Sequence, residues 1–181
     1  MDLVVKKVNR KLKEYKDIKE LMKKVFPKNE LIPFSFLTLK SKRKNVEFNS
    51  YYDNNKLIGI SYLIISNNLI FILYLGVNPS SQSKGYGSKI LEDIKNKYSN
   101  KEITLNIETL DINSNNYNER LKRLKFYSKN GFNPTKYILK DDIDYLILST
   151  SNNFNKEKYL KILKKYSLGF FAPKIEIKDN E

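Results

Sequence analysis

The sequence predicts an α/β (α+β) protein whose helices flank one mixed central sheet of about seven strands. Three observations carry that expectation. Three apolar runs, "VEFNSYYD", "KLIGISYLII" and "LIFILYLGV", follow one another with only short asparagine-bearing turns between them, the pattern of an antiparallel meander. A glycine-rich turn then leads into "SKILEDIKNKY", with Ile90, Leu91 and Ile94 at helical spacing, and on to the alternating "EITLNIETL". That order makes a right-handed crossover with parallel pairing. Last, "TKYILKDD" and "DYLILSTS" read as a closing hairpin.

The remaining elements fall around this frame. "LVVKKV" reads as a short first strand. "YKDIKELMKKVF" sets Ile18, Leu21, Met22 and Val25 on one helical face and stops at Pro27. "NELIPFSFLTLKSKRKN" reads as a short helix followed by a basic loop. "NYNERLKRLKFYSKNGF" is a further helix, with Gly131 placed as a left-handed C-terminal cap. "NKEKYLKILKKYS" is the last amphipathic helix. No repeat or linker divides the chain, so residues 1–170 are expected to be one domain and 171–181 a loosely held tail.

Composition narrows the chemistry. The 181 residues include no cysteine and no histidine, which removes disulfides, Ser-His-Asp and Cys-His nucleophiles, and the commonest zinc ligands. No metal is expected. Any acid or base must be Tyr, Glu, Asp, Lys or water. A net charge of +14 favours anionic partners, a nucleic acid or a phosphorylated cofactor, although lysine is scattered over every element as in a general composition bias. No apolar run is long enough to span a bilayer, and "MDLVVKKVNRKLKEYKD" lacks an extended apolar core, so a cytoplasmic location without membrane contact is expected.

The turn "NPSSQSKGYGS" is where chemistry concentrates. A helix N-terminus leaves its first N–H groups unpaired and partially positive, and glycine lets a ligand approach the backbone closely. An anion site and a purely structural turn both fit this much. A P-loop would end in Gly-Lys-Ser/Thr, and a Rossmann turn would open a doubly wound pattern; neither is present.

"LGVNPSSQSKGYGSKIL" resembles motif A of the GNAT superfamily of acetyl-CoA-dependent N-acetyltransferases: Gln or Arg, two residues, Gly, one residue, Gly or Ala. Gln82, Gly85 and Gly87 fill it. "LKFYSKNGF" resembles the family's Tyr, three residues, Gly-Phe block, with Tyr127, Gly131 and Phe132 in place. The order of elements is similar to the GNAT fold over the whole chain except the tail. The resemblance implies a sheet whose fourth and fifth strands splay apart. It implies that the backbone of Gln82, Ser83, Lys84, Gly85, Tyr86, Gly87 and Ser88 holds the pyrophosphate of acetyl-CoA as co-substrate. It also implies that the strand around Leu75 and Val77 pairs with the pantetheine arm.

Acetyl transfer to an amine needs a neutral amine and a stabilised thiolate. The resemblance makes Tyr127 the general acid. Many relatives carry a glutamate base on the fourth strand, but "NLIFILYLGV" has no carboxylate. Glu108, near the end of an otherwise apolar strand, is the first candidate base; Glu30 and a water relay are alternatives. Where most relatives have an Asn that contacts CoA, this chain has Arg120. The longer link resembles a bacterial subgroup with Asn116, Arg120, Arg123, Phe126 and Tyr127 in its pattern, and Asn116 is counted among the cofactor-binding residues. Arg120 and Arg123, three apart, share a helix face that points at phosphate, at Glu108 or at solvent. The expected activity is direct N-acetylation of a small-molecule or protein amine in a ternary complex, with a non-catalytic acyl-CoA-binding module as the alternative. Nucleic acid is disfavoured as a partner. The final helix and exposed strand edges leave room for a homodimer.

Overall fold

A computed structural model of the chain describes residues 2–167 and 174–178. Its strands are β1 (Val4–Lys7), β2 (Val46–Asp53), β3 (Lys56–Ile65), β4 (Leu69–Val77), β5 (Glu102–Glu108), β6 (Asn133–Lys140), β7 (Tyr145–Ser149) and β8 (Lys174–Ile177). The helices are α1 (Tyr15–Val25), α2 (Phe34–Lys40), α3 (Tyr86–Lys97), α4 (Tyr117–Lys129) and α5 (Lys156–Ser167). The strands form one mixed sheet in the order β1-β2-β3-β4-β5-β7-β6-β8.

This is the predicted α/β architecture with one strand more than the periodicity indicates. The extra strand, β8, lies in the segment read as a loose tail and pairs antiparallel with β6, Ile138 opposite Glu176. "KIEI" does alternate, with Ile175 buried and Ile177 exposed, but four residues are too short a run to stand out from coil. The other tail positions, 171–173 and 179–181, lie outside the described residues.

The chain divides into two compact units, Met1–Ile65 with Ile72–Ser99 and Ser66–Phe71 with Asn100–Glu181. In the first, β3 is buried along most of its length on both faces. On one face Tyr62 donates to the Leu37 carbonyl of α2 at 3.2 Å. On the other, a Cβ at Gly59 would meet Ile90 of α3 at 3.1 Å. A row of rings ties this unit together: Tyr15 to Phe34, Phe34 to Phe48, Phe48 to Tyr62, Tyr62 to Tyr74 and Tyr74 to Phe26, with centroids 4.8–6.4 Å apart. Offset and edge-on pairs of this kind add to what burial alone contributes.

In the second unit, β5 continues the sheet in parallel fashion from the start of β4. The Glu102 N–H donates to Asn68 O and Thr104 Oγ1 to Ile70 O, so both strands advance together. β7 and β6 then return antiparallel, Leu105 opposite Leu148 and Leu139 opposite Tyr145. From α5, the buried Tyr159 donates to Asn106 Oδ1 at 2.7 Å and packs edge-on against Phe71.

Gly59 and Gly76 mark a close approach of backbones beside the functional turn. A Cβ at Gly59 would stand 2.6 Å from the Gly76 carbonyl oxygen, and one at Gly76 would stand 2.7 Å from Val25 Cγ2. Because a carbonyl cannot move aside like a side chain, Gly59→Ala is expected to cost about 2 kcal/mol by overpacking. Urea denaturation measures it; a loss below about 0.5 kcal/mol would show that the strands part freely.

Candidate functional site

The turn between β4 and α3 is held in place from several sides. After β4, Asn78 donates its N–H to Ile58 O (2.7 Å) and its Nδ2 to Leu57 O (3.3 Å), while its Oδ1 caps the following 3-10 turn at Ser80 N–H. Gln82 Nε2 reaches back to Val77 O at 3.3 Å, and Lys84 Nζ to Ser80 O at 3.3 Å. Two residues take left-handed backbone, Ser83 at φ 61° and Gly85 at φ 82°. At Gly85 a Cβ would meet no neighbour within 4 Å, so the glycine is needed for its dihedral and not for room.

Gly85 is the N-cap of α3 and no side chain caps that end. The helix's first internal bond runs from Lys89 N–H to Gly85 O, so the N–H groups of Tyr86, Gly87 and Ser88 precede it in the chain. No acidic residue stands in the first turn. This end carries partial positive charge with donors in a row, the arrangement that receives a phosphate. Gln82 to Ser88 all lie in this turn. Sequence reasoning missed the clasp on its far side: Tyr86 donates to Asp53 Oδ2 at 2.6 Å. The hydrogen bond to that carboxylate pushes the Tyr86 hydroxyl above its ordinary pKa, so it stays a donor.

The end of β4 is covered on one face only. Tyr74 and Gly76 are buried, Gly76 against Val25 and Phe26 of the α1 end, while Leu73, Leu75 and Val77 are half-buried. Leu75 and Val77 thus share the less covered face. Tyr74 uses its hydroxyl twice, accepting from Ile32 N–H (3.0 Å) and donating to Glu30 O (2.6 Å). The backbone of Glu30, the alternative base, is therefore pinned to β4.

In the second unit, Glu108 ends β5 and is 6% exposed. Its Oε1 lies 3.3 Å from Arg120 Nη2 and accepts from Asn116 Nδ2 at 3.2 Å; its Oε2 lies 2.5 Å from Arg123 Nη2. Arg120 also donates Nε to Asn116 Oδ1 (2.8 Å) and Nη1 to Thr109 O (2.8 Å). Of the three directions open to the arginines, the structure shows Glu108. Each carboxylate oxygen stands in ion-pair range of an arginine, while Oε2 is buried and accepts no hydrogen bond from the described residues. Asn116 is engaged at both ends of its amide, so it acts here as a link in this cluster.

Tyr127 lies one helical turn beyond Arg123, partly buried, with Phe126 and Phe132 against its ring at 5.0 and 6.0 Å. Burial pushes its hydroxyl up to about 12, the Arg123 cation pulling weakly the other way. The block "YSKNGF" also stops the helix. Phe132 N–H bonds Tyr127 O and Gly131 N–H bonds Ser128 O, both at 3.0 Å, with Gly131 at φ 83°. That is a Schellman cap, completed by the Tyr127–Phe132 ring contact. Among the described residues no group of carboxylates is arranged to hold a metal ion, and no helix is long and apolar enough to cross a membrane.

The mixed sheet with an uncapped helix start after its fourth strand gives an α/β protein of the order that the motif resemblance implies, and comparison with known proteins agrees. The Acetyltransferase (GNAT) domain family matches residues 45–134, the stretch from β2 through α4. The chain belongs to the GNAT superfamily of acetyltransferases. No curated protein matches the sequence. Among solved structures, a protein described as a GNAT-family acetyltransferase from Bacteroides thetaiotaomicron is similar at 20% identity and TM-score 0.75, over 93% of this chain and 99% of that one. A GNAT acetyltransferase from Elizabethkingia anophelis with acetyl-CoA bound is 17% identical, TM-score 0.58, over 82% and 97%. The ribosomal-protein-S18-alanine N-acetyltransferase of Escherichia coli is 13% identical, TM-score 0.60, over 85% and 99%.

Removing the charge of Glu108 leaves Arg120 uncompensated at a buried position, beside the more exposed Arg123. Glu108→Gln is expected to lower stability by about 3 kcal/mol, read by urea denaturation. A change under about 1 kcal/mol would mean that the cluster is solvated and holds nothing.

Proposed function

We propose that this chain is an N-acetyltransferase that binds acetyl-CoA at the β4–α3 turn and transfers the acetyl group directly to an amine. The observation that carries the reading is the uncapped, glycine-opened start of α3, with the N–H groups of Tyr86, Gly87 and Ser88 ahead of its first internal bond. A pyrophosphate is the ligand such an end favours. Lys84 adds a cation on the same turn, and the half-buried face of Leu75 and Val77 suits the pantetheine arm. The Elizabethkingia relative, solved with acetyl-CoA, supports the same co-substrate here. No metal takes part in this scheme.

In the transfer, the amine nitrogen attacks the thioester carbonyl, a C–N bond forms, the C–S bond breaks, and the nitrogen loses a proton. Tyr127 serves the leaving sulfur. A phenol that burial holds at about 12 is a poor full proton donor to a thiolate, because a thiol is the stronger acid of the two. Its contribution is a hydrogen bond to the developing charge, with Arg123 moderating the cost. The amine's proton leaves through water or Glu30, because the Glu108 oxygens are already held by Arg120, Arg123 and Asn116.

The second reading, a module that holds acyl-CoA without turnover, draws on that same engagement of Glu108. Titration with acetyl-CoA followed by thiol release over a panel of amines separates the two. Binding without release in every amine class favours the module, and no binding removes both.

Tyr127→Phe is expected to lower turnover about 100-fold with little change in acetyl-CoA affinity. Since the donor is the protonated phenol and its pKa is raised to about 12, its ionisation adds no fall in rate below about pH 10. The acid side falls as the acceptor amine becomes protonated. An alkaline limb below pH 10 that disappears in Tyr127→Phe would contradict this assignment. For Glu108→Gln the expected loss of rate is the same at every pH; a loss that deepens as pH falls would restore Glu108 as the base.

A further inference from the structure

The cofactor turn is fastened at both ends to a single hairpin. Before the turn, Asn78 holds Ile58 and Leu57 at the start of β3. After it, Tyr86 reaches Asp53 at the end of β2. Asp53 is itself fixed, because it faces Lys56 across a two-residue turn in which Asn54 and Asn55 take φ values of 47° and 62°. Such paired left-handed residues make a tight hairpin turn of defined twist. The bond from Tyr86 to Asp53 therefore joins the first residue of α3 to a rigid point.

We infer that Asp53 and Tyr86 are positioning residues for the co-substrate: their hydrogen bond sets the direction of the N–H groups that begin α3. The inference rests on the reading of that turn as the acetyl-CoA site. Tyr86 stands between Gly85 and Gly87, where neither neighbour has a side chain to limit the backbone. The left-handed residues Ser83 and Gly85 bring the chain to the helix, and nothing in the helix precedes Tyr86 to restrain it. An anchored hydroxyl supplies that restraint from the side chain. Held in one orientation before the ligand arrives, the donors do not have to be ordered on binding, which lowers the cost of capturing the anion. Asp53 acts through the Tyr86 hydroxyl alone, since a carboxylate facing a pyrophosphate directly would repel it.

The test is calorimetric titration of the full chain with CoA. Wild type, Tyr86→Phe, Asp53→Ala, the double variant and Asp53→Asn are compared, with a thermal melt of each. Tyr86→Phe and Asp53→Ala are each expected to weaken CoA binding about fivefold, the range of one ordinary hydrogen bond and so only part of what a bond to a charged group contributes. The double variant should bind no more weakly than either single one, because both remove the same contact. Asp53→Asn, whose Oδ1 still accepts from the tyrosine, should recover binding to within about twofold of wild type. A purely structural bond would lower the melting midpoint and leave CoA affinity unmoved. Wild-type binding with an unchanged Kd in Tyr86→Phe, or additive losses in the double variant, overturns this inference alone. A wild-type chain that does not bind CoA overturns the functional reading and this inference with it.

Discussion

A helix can offer its first N–H groups to a ligand only if the chain reaches it without capping them and is nevertheless held still. That constraint governs the first unit of this protein. Capping side chains, the usual way to fix a helix start, would use the donors that stay open at the start of α3. The chain solves this by placing its restraints elsewhere: left-handed backbone at Ser83 and Gly85, amide contacts from Asn78 and Gln82 to backbone carbonyls, and the Tyr86 phenol on Asp53. The packing of Gly59 against the Gly76 carbonyl serves the same end, since it seats the last residues of β4 directly beside the hairpin that holds the turn.

The second unit meets a different demand, the orientation of α4. One end of that helix is set by a buried carboxylate and the other by backbone. At the start, Glu108 draws in Arg120, Arg123 and Asn116, side chains from successive turns. At the finish, Gly131 and Phe132 close the Schellman cap on Ser128 and Tyr127. Tyr127 belongs to both devices, as the third-last residue of the capped end and as the next residue along the helix face from Arg123. Part of what makes "YSKNGF" a recognisable block is therefore the chemistry of stopping a helix, and this accounts for Gly131 and Phe132 without any catalytic role for them.

Much of this was legible in the sequence because it depends on neighbours in the chain. Helical spacing marks α1 and α3, the asparagine pairs mark the hairpin turns, and Gly85 and Gly131 mark changes of direction that few other residues allow. The contacts that were not legible join distant positions. Tyr86 meets Asp53 across 33 residues, and Tyr74 meets Glu30 across 44. Nothing in the local pattern around Asp53 separates it from any other residue at a tight turn, and Tyr74 looks like one more aromatic in a β run. Glu108 lies between the two cases. The spacing of Arg120 and Arg123 shows that they share a face, but only the fold shows which of its three partners that face meets. β8 went unseen because a strand of four residues gains its stability from its neighbour β6 and not from its own pattern.

The same contacts bear on how protons are handled. A chain without histidine has few groups that change charge near neutral pH, and its carboxylates and phenols must serve both structure and chemistry. Asp53 is joined to Tyr86, Glu108 to two arginines, and the Tyr74 hydroxyl to two backbone groups. Each of these bonds fixes the position of an element of the fold. Tyr127, with its hydroxyl kept protonated by burial, is suited to donate a hydrogen bond without losing its proton. Orientation then rests, in each unit, on charged and hydroxyl groups already engaged in holding elements in place.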